Sequence, residues 1–535
     1  MIRRSTQFLS CFAWILAATF CAQSPLTHGQ GSSAAGPGAE ARASHAYDAA
    51  VKKGPPALRA FLVDFPKGAD LHVHLSGAVY AETLIRDAAE DGACVDTVAL
   101  SLAQPPCTGN LIPATGFTGN IDRKTQLLYD KLIDSLSVRS FVPSASWSEH
   151  DQFFAVFDRT GGLKNHNGEW VDEVASRAAA QNQQYLELMV TPPFSHATGI
   201  ARDIGWSPQL ADANPQAFAQ FRQQLLDQGL RDEVAADREE VRAAEVQRKQ
   251  LERCGTAQAA PACRVEVRYI WQVLRDLPPE LVFAQTLLGF ETVEASIEAH
   301  DPGFVGINFV RPEDDYVAMR DYTQQMKMIG YLHSVYPNVH ISLHAGELAL
   351  GLVPPEGLRF HIRQAVELAH AERIGHGVDV MHEDDAAGLL KELAAEHVMV
   401  EINLSSNEGI LDVKGAEHPF PIYRAAHVPV ALSTDDEGVS RIDLTHEYVR
   451  AALDYHLTYA DLKQLARTGL EHNFLPGASL WARPDEFSAP VGACRSQALG
   501  GEKPATACKT FLDKSDKAAA EWELERRFRD FEAKF

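Results

Sequence analysis

Asp70-Leu71-His72-Val73-His74-Leu75-Ser76-Gly77 is the stretch on which the reading of this 535-residue chain turns. Residues two apart on a β-strand share a face, so His72 and His74 point the same way. Strand candidate 70–75 is followed by seven more short apolar runs at 184–190, 265–273, 304–310, 340–344, 373–375, 398–404 and 428–433. Helical stretches separate them. Near-continuous apolar runs suit parallel strands covered on both faces. Eight βα repeats predict a closed (β/α)8 TIM barrel, with His72 and His74 at the end of its first strand. Barrel active sites lie at that C-terminal end.

Three other motifs end strand candidates in the same way. In Leu343-His344-Ala345-Gly346-Glu347, an imidazole closes an apolar run and Gly346 permits a turn that returns Glu347 over the mouth. In Arg373-Ile374-Gly375-His376-Gly377, the flanking glycines leave His376 projecting from close-packed backbone. In Leu432-Ser433-Thr434-Asp435-Asp436-Glu437-Gly438, two adjacent carboxylates would repel unless a cation or a bound proton lies between them. Each motif also has an ordinary reading. A His-x-His strand can carry two polar histidines, Gly-His-Gly can be an exposed turn, and Asp435 or Asp436 can cap a helix. Together, at the ends of successive strands, they offer imidazoles and a carboxylate for a metal, with a second carboxyl for proton transfer.

The order His-x-His, His-Ala-Gly-Glu, Gly-His-Gly, Ser-Asn (within Glu401 to Asn407) and Thr-Asp-Asp resembles the adenosine deaminase family, from Pro66 to about Trp481. Pro66-Lys67 and Tyr185-Leu-Glu-Leu188 echo it. The resemblance implies one zinc per chain, Zn2+ held by His72, His74, His344 and Asp435, with water at the open position. It also implies that His376 orients and deprotonates that water, Glu347 gives a proton to purine N1, and Asp436 hydrogen-bonds N7. The product would be a 6-oxo purine and ammonia. The run Phe304–Val310 offers no lysine or carboxylate to bridge a second metal. Two departures bear on the substrate. Ser76 stands where many members carry a ribose-binding acid, and Arg311 stands where they commonly have a glycine beside the purine. The expected substrate is adenosine or a related 6-aminopurine nucleoside. The alternatives are another heterocycle or an amide, or an inactive extracellular binding or signalling protein on the same barrel.

The rest of the chain frames this barrel, expected over 45–480. Residues 1–22 read as a signal peptide, with Arg3 and Arg4 before an apolar run too short to span a bilayer. Cys21 would allow a lipid anchor, but Phe20 is bulkier than a lipoprotein cleavage site accepts. Residues 23–44 are Gly-, Ser-, Ala- and Pro-rich and read as a flexible linker. A helix is expected over 47–64, a charged helical insertion over 227–264, and a C-terminal extension over 481–535 ending in an amphipathic helix. Six cysteines outside the leader form three local pairs, Cys94 with Cys107, Cys254 with Cys263, and Cys494 with Cys508. None has C-x-x-C spacing, so disulfides in an exported, periplasmic or secreted protein are expected. The net charge of −23 disfavours nucleic acid and anionic membrane surfaces, and no integral membrane segment is expected in the mature chain.

Overall fold

The computed structural model describes residues 37–535 except 162 and 302. The expected leader and the linker up to residue 36 lie outside the described residues.

Eight parallel strands form the barrel: β1 (Gly68–His74), β2 (Gln183–Val190), β3 (Glu266–Leu274), β4 (Phe304–Val310), β5 (His340–Ala345), β6 (Arg373–His376), β7 (Met399–Ile402) and β8 (Val430–Leu432). Each pairs with the next in sequence order. Closure comes from just beyond β8, where Asp435 bridges in parallel to Val73 and its N–H donates to the His72 carbonyl at 2.9 Å. All eight apolar runs of the sequence are therefore strands. The last two are shorter than expected. Leu404 already starts a helix, Leu404–Leu411, and Pro429 has no N–H to give the ladder ahead of Val430.

Two expectations need correction. The final residues of the expected 23–44 linker belong to helix α1 (Pro37–Lys53), in which Ala43, Tyr47 and Ala50 are buried. Small alanine-rich sequence suits a helix as well as a linker, and tertiary packing decides between them. The single helix expected over 47–64 is two, because Gly54 (φ 95°) and the prolines after it end α1 and begin a second helix, Pro55–Leu62. A small antiparallel sheet of Cys94–Asp96, Ser101–Ala103 and Leu111–Pro113 had no counterpart in the sequence reading.

The helix Glu149–Asp158 (α2) crosses the barrel mouth, and Asn167–Ala180 (α3) leads into β2. The charged insertion is helical, Val234–Leu251 (α4), and packs along α3. Its run of charge is not wholly solvated. Arg248 is buried, its guanidinium held by Glu245 at 2.6 Å and Glu252 at 2.8 Å. All three cysteine pairs are bonded as their spacing suggested. The C-terminal helix, Asp516–Glu532 (α5), seals the barrel end opposite the site. Its Phe528 and Phe531 pack on Phe65, and Arg467 meets Glu525 at 2.6 Å. Among the described residues no helix is long and apolar enough to cross a membrane.

Lys67, just ahead of β1, is fully buried and binds main chain on two segments. Its Nζ donates to the carbonyls of Leu62 (2.6 Å), Phe65 (3.1 Å) and Gln181 (2.7 Å). This ties the entry to β1 to the entry to β2. Lys67→Met would keep the aliphatic stem and take the ammonium donor from three buried carbonyls, of which, among the described residues, only that of Leu62 keeps a main-chain donor, the N–H of Phe65 at 3.1 Å. The expected loss is about 3 kcal/mol, read as a lower urea midpoint. An unchanged midpoint would mean these carbonyls find other partners.

Candidate active site

The four motifs meet at the mouth. The Nε2 atoms of His72 and His74 lie 3.1 and 3.2 Å from that of His344. Asp435 Oδ1 lies 3.3 Å from His74 Nε2 and 3.8 Å from His72 Nε2. His376 Nε2 faces Asp435 Oδ2 at 3.8 Å, and its Nδ1 faces Glu347 Oε1 at 3.6 Å. Every one of these residues is buried, so the exposed-turn reading of His376 does not hold. His376 (φ 69°) and Asp435 (φ 60°) occupy the left-handed region, a strain of about 1–3 kcal/mol each that clusters at functional sites. Gly375 and Gly77 permit the approach. A Cβ on Gly375 would come within 2.6 Å of the His72 ring, and one on Gly77 would overlap the Asp436 carboxylate.

The groups behind the imidazoles decide where their lone pairs point. Glu401 Oε2 accepts from His72 Nδ1 at 2.6 Å. Burial would raise the Glu401 carboxyl, but the Arg373 guanidinium and the His72 hydrogen bond hold it below its ordinary range. Arg373 Nε meets Glu401 at 2.7 Å, and its other arm meets Glu187 at 2.6 Å, all of it buried. Asn308 Oδ1 accepts both the main-chain N–H of His344 (3.1 Å) and its Nδ1–H (2.8 Å). The main-chain donor identifies that end of the amide as oxygen. His72 and His344 thus carry hydrogen on Nδ1, and their Nε2 atoms turn toward each other, that of His344 bare. A proton or a metal ion can lie between two such nitrogens, and the full donor set fits a metal ion. Two compact groupings of ligand atoms lie at the mouth, each within 4.8 Å: His72, His344, His376 and Asp435, and also His74, Asp435 and Asp436.

Burial also sets charge. It pushes His74 down to about 4, His376 down to about 3, and His344 well below its ordinary value. It pushes His72 down too, but Glu401 more than offsets this. Asp435 would be raised by burial, yet the surrounding imidazoles hold it down to about 2. Glu347 and Asp436 are raised well above the carboxylate range, first by burial and then by the negative charge of Asp435. The mouth therefore combines imidazoles suited to a cation with two carboxyls that keep their protons.

A cleft opens over this cluster. Phe153, Phe154 and Phe157 of α2 wall it on one side, with Leu274, Val310 and Ile410 adding apolar surface. His150 of α2 meets Asp314 after β4 at 3.0 Å and pins the helix there. Ser76 lines the cleft. Arg311 does not crowd the floor. Its guanidinium turns to Asp276 at the rim, 3.5 Å away, while its backbone (φ 85°) keeps a conformation favoured by glycine.

Several contributors were not assigned roles from sequence. Glu401 and Asn308 are polar residues inside buried strands, which is itself a signal. The aromatic wall of α2, Gln272 against His74, and Glu313 left no local signature. Glu313 accepts the main-chain N–H groups of Gly346 (3.1 Å) and Glu347 (2.8 Å) and so fixes the turn that aims Glu347.

Fold and cage together define a (β/α)8 barrel with a metal-binding mouth. The adenosine deaminase family profile matches residues 149–480, and the chain belongs to that family. A curated adenosine deaminase of Clostridium perfringens is 30% identical over 190 residues, which cover 35% of this chain and 51% of that protein. The chain thus spans about half the length of that relative. Among solved structures, the adenine deaminase of Arthrobacter aurescens aligns over 77% of this chain and 94% of its own, at 18% identity and a TM-score of 0.44. The N6-methyl-AMP deaminase of Arabidopsis thaliana aligns over 78% and 94%, at 21% identity and a TM-score of 0.47.

Glu401→Gln should lower metal affinity about 10- to 100-fold, because the amide no longer holds His72 in its Nδ1–H form. Competition with a chelator measures this. Wild-type affinity in the variant would remove Glu401 from the support of the cage.

Proposed function

We propose that this chain is a zinc-dependent hydrolase that removes the 6-amino group of adenosine or a closely related 6-aminopurine nucleoside. The observation that carries the reading is the pairing of an imidazole–carboxylate cage with two buried carboxyls, Glu347 and Asp436, whose protonated form burial favours, beneath an aromatic wall. His72, His74, His344 and Asp435 would hold the ion, and three imidazoles with one carboxylate and no thiolate suit zinc. When bound, zinc supplies Lewis acidity that makes water a nucleophile at neutral pH.

The chain's own groups supply the rest. Phe153, Phe154 and Phe157 offer apolar surface for the purine and keep bulk water from it. Glu347 gives its proton to N1 as the water oxygen adds to C6. Asp436, protonated, donates to N7. His376 orients the attacking water. Of the two protons that the water loses, one restores Glu347 and the other leaves with ammonia, giving the 6-oxo purine. Ser76, which lines the cleft, would hydrogen-bond a substrate hydroxyl. Arg311 at the rim favours a second reading, in which the substrate is a different amino-heterocycle bearing an anionic group. The three disulfides support work in an oxidising compartment outside the cytoplasm.

The purified protein should contain one zinc by atomic emission and should lower the ultraviolet absorbance of adenosine. Glu347→Gln should keep the zinc and lose kcat by about 10²-fold or more. Retention of most activity in that variant would exclude Glu347 as the proton donor. Zinc without turnover of adenosine, deoxyadenosine or adenine would favour the second reading.

A further inference from the structure

Besides the His72 and His344 rings, with centroids 5.0 and 5.1 Å away, four polar groups face the His376 ring. Asn407 Nδ2 lies 2.8 Å from Nδ1, and Asn403 Nδ2 lies 3.4 Å from both ring nitrogens and so does not distinguish them. Glu347 Oε1 stands off at 3.6 Å from Nδ1, and Asp435 Oδ2 at 3.8 Å from Nε2. The nitrogen that carries the ring hydrogen is decided three links away. The main-chain N–H of Phe420, which can only donate, gives to His418 Nδ1 at 3.1 Å. His418 must therefore carry its hydrogen on Nε2, which donates to Asn407 Oδ1 at 3.0 Å. Burial holds His418 down to about 3, in keeping with a single ring hydrogen. With its oxygen committed to His418, the Asn407 amide presents its NH2 to His376 Nδ1. That nitrogen accepts, and the His376 hydrogen sits on Nε2, facing Asp435.

His74 is not locked in this way. Its Nδ1 faces Nε2 of the Gln272 amide, whose oxygen accepts from Thr191 Oγ1 at 2.8 Å, an arrangement that the amide can reverse by turning over. A hydroxyl both gives and accepts, so Gln272 can present its oxygen to His74 Nδ1 and leave the Nε2 lone pair for an ion.

We propose that His418 and Asn407 are positioning residues that hold His376 in its Nε2–H form, so that His376 donates a hydrogen bond into the site and neither ligates the ion nor takes a proton from water. The inference rests on reading the mouth as a hydrolytic metal site. It selects His74 over His376 as the third imidazole ligand. It also sends the water's proton to Glu347, which is a carboxylate once its own proton is on N1, and the count balances.

The test is a two-bond proton–nitrogen correlation spectrum of the full chain labelled with 15N-histidine, recorded metal-free and zinc-loaded. The His376 signals are identified by their loss in His376→Asn. In the wild type, Nε2 should be protonated and Nδ1 bare in both states. Asn407→Asp, which accepts from both neighbours, should reverse the pattern and cost about 10²-fold or more in kcat, as expected for a wrong tautomer. His418→Gln, which keeps a donor toward Asn407, should retain the wild-type pattern. A wild-type ring with hydrogen on Nδ1 would overturn the proposal, as would an unreversed ring in folded Asn407→Asp. The spectrum is independent of turnover. An Nε2–H ring in a protein that does not consume aminopurines would uphold the relay while removing the hydrolytic reading.

Discussion

Two imidazole nitrogens turned toward each other 3.1 Å apart, the Nε2 atoms of His72 and His344, are the constraint from which the rest of the barrel mouth follows. Left alone they would turn away from each other. Glu401 and Asn308 prevent this by taking the hydrogens on the far side of each ring, and Arg373 keeps Glu401 ionised in the dry interior of the sheet. The chain thus spends fold stability on a pocket of electron density that a cation relieves. The same dryness that makes this costly for the empty protein keeps Glu347 and Asp436 protonated a few ångströms away.

Much of this is readable from the residues, for reasons that differ by element. His72 and His74 betray their shared direction by spacing alone, and His344, His376 and Asp435 each end an apolar run, where the chain leaves the sheet. The eight strands stand out because burial on both faces makes them continuous apolar runs. What escapes is what depends on partners distant in sequence. Glu401 is visibly odd in a buried strand, yet nothing in its own stretch says that His72 lies on one side and Arg373 on the other. His418 precedes a proline in what reads as an ordinary loop, and its meaning comes only from Phe420 and Asn407. The short antiparallel strands near Cys94 are three residues each, too brief for any period to show. The helix within the expected linker escapes because alanine suits both states until Tyr47 finds the barrel.

Arg311 shows how a backbone can hold a shape that its own residue does not favour. The chain after β4 still takes a conformation natural to glycine, and the side chain that glycine would lack is led away to Asp276 at the rim. The floor stays open and the change is confined to the entrance. Ser76 acts at the same level. Both residues line the cleft without entering the cage, so under the proposed function they would bear on the choice of molecule more than on the chemistry.

The hydrogen bond from Asp435 to the His72 carbonyl closes the barrel and joins the earliest and latest contributors to the cage. A ribosome must therefore have released nearly all of the barrel before the ligand set can exist, since every shorter nascent chain lacks one wall of it. Capture of the ion is thereby postponed to the last stage of folding, and an unfinished chain presents only scattered histidines to whatever metals surround it.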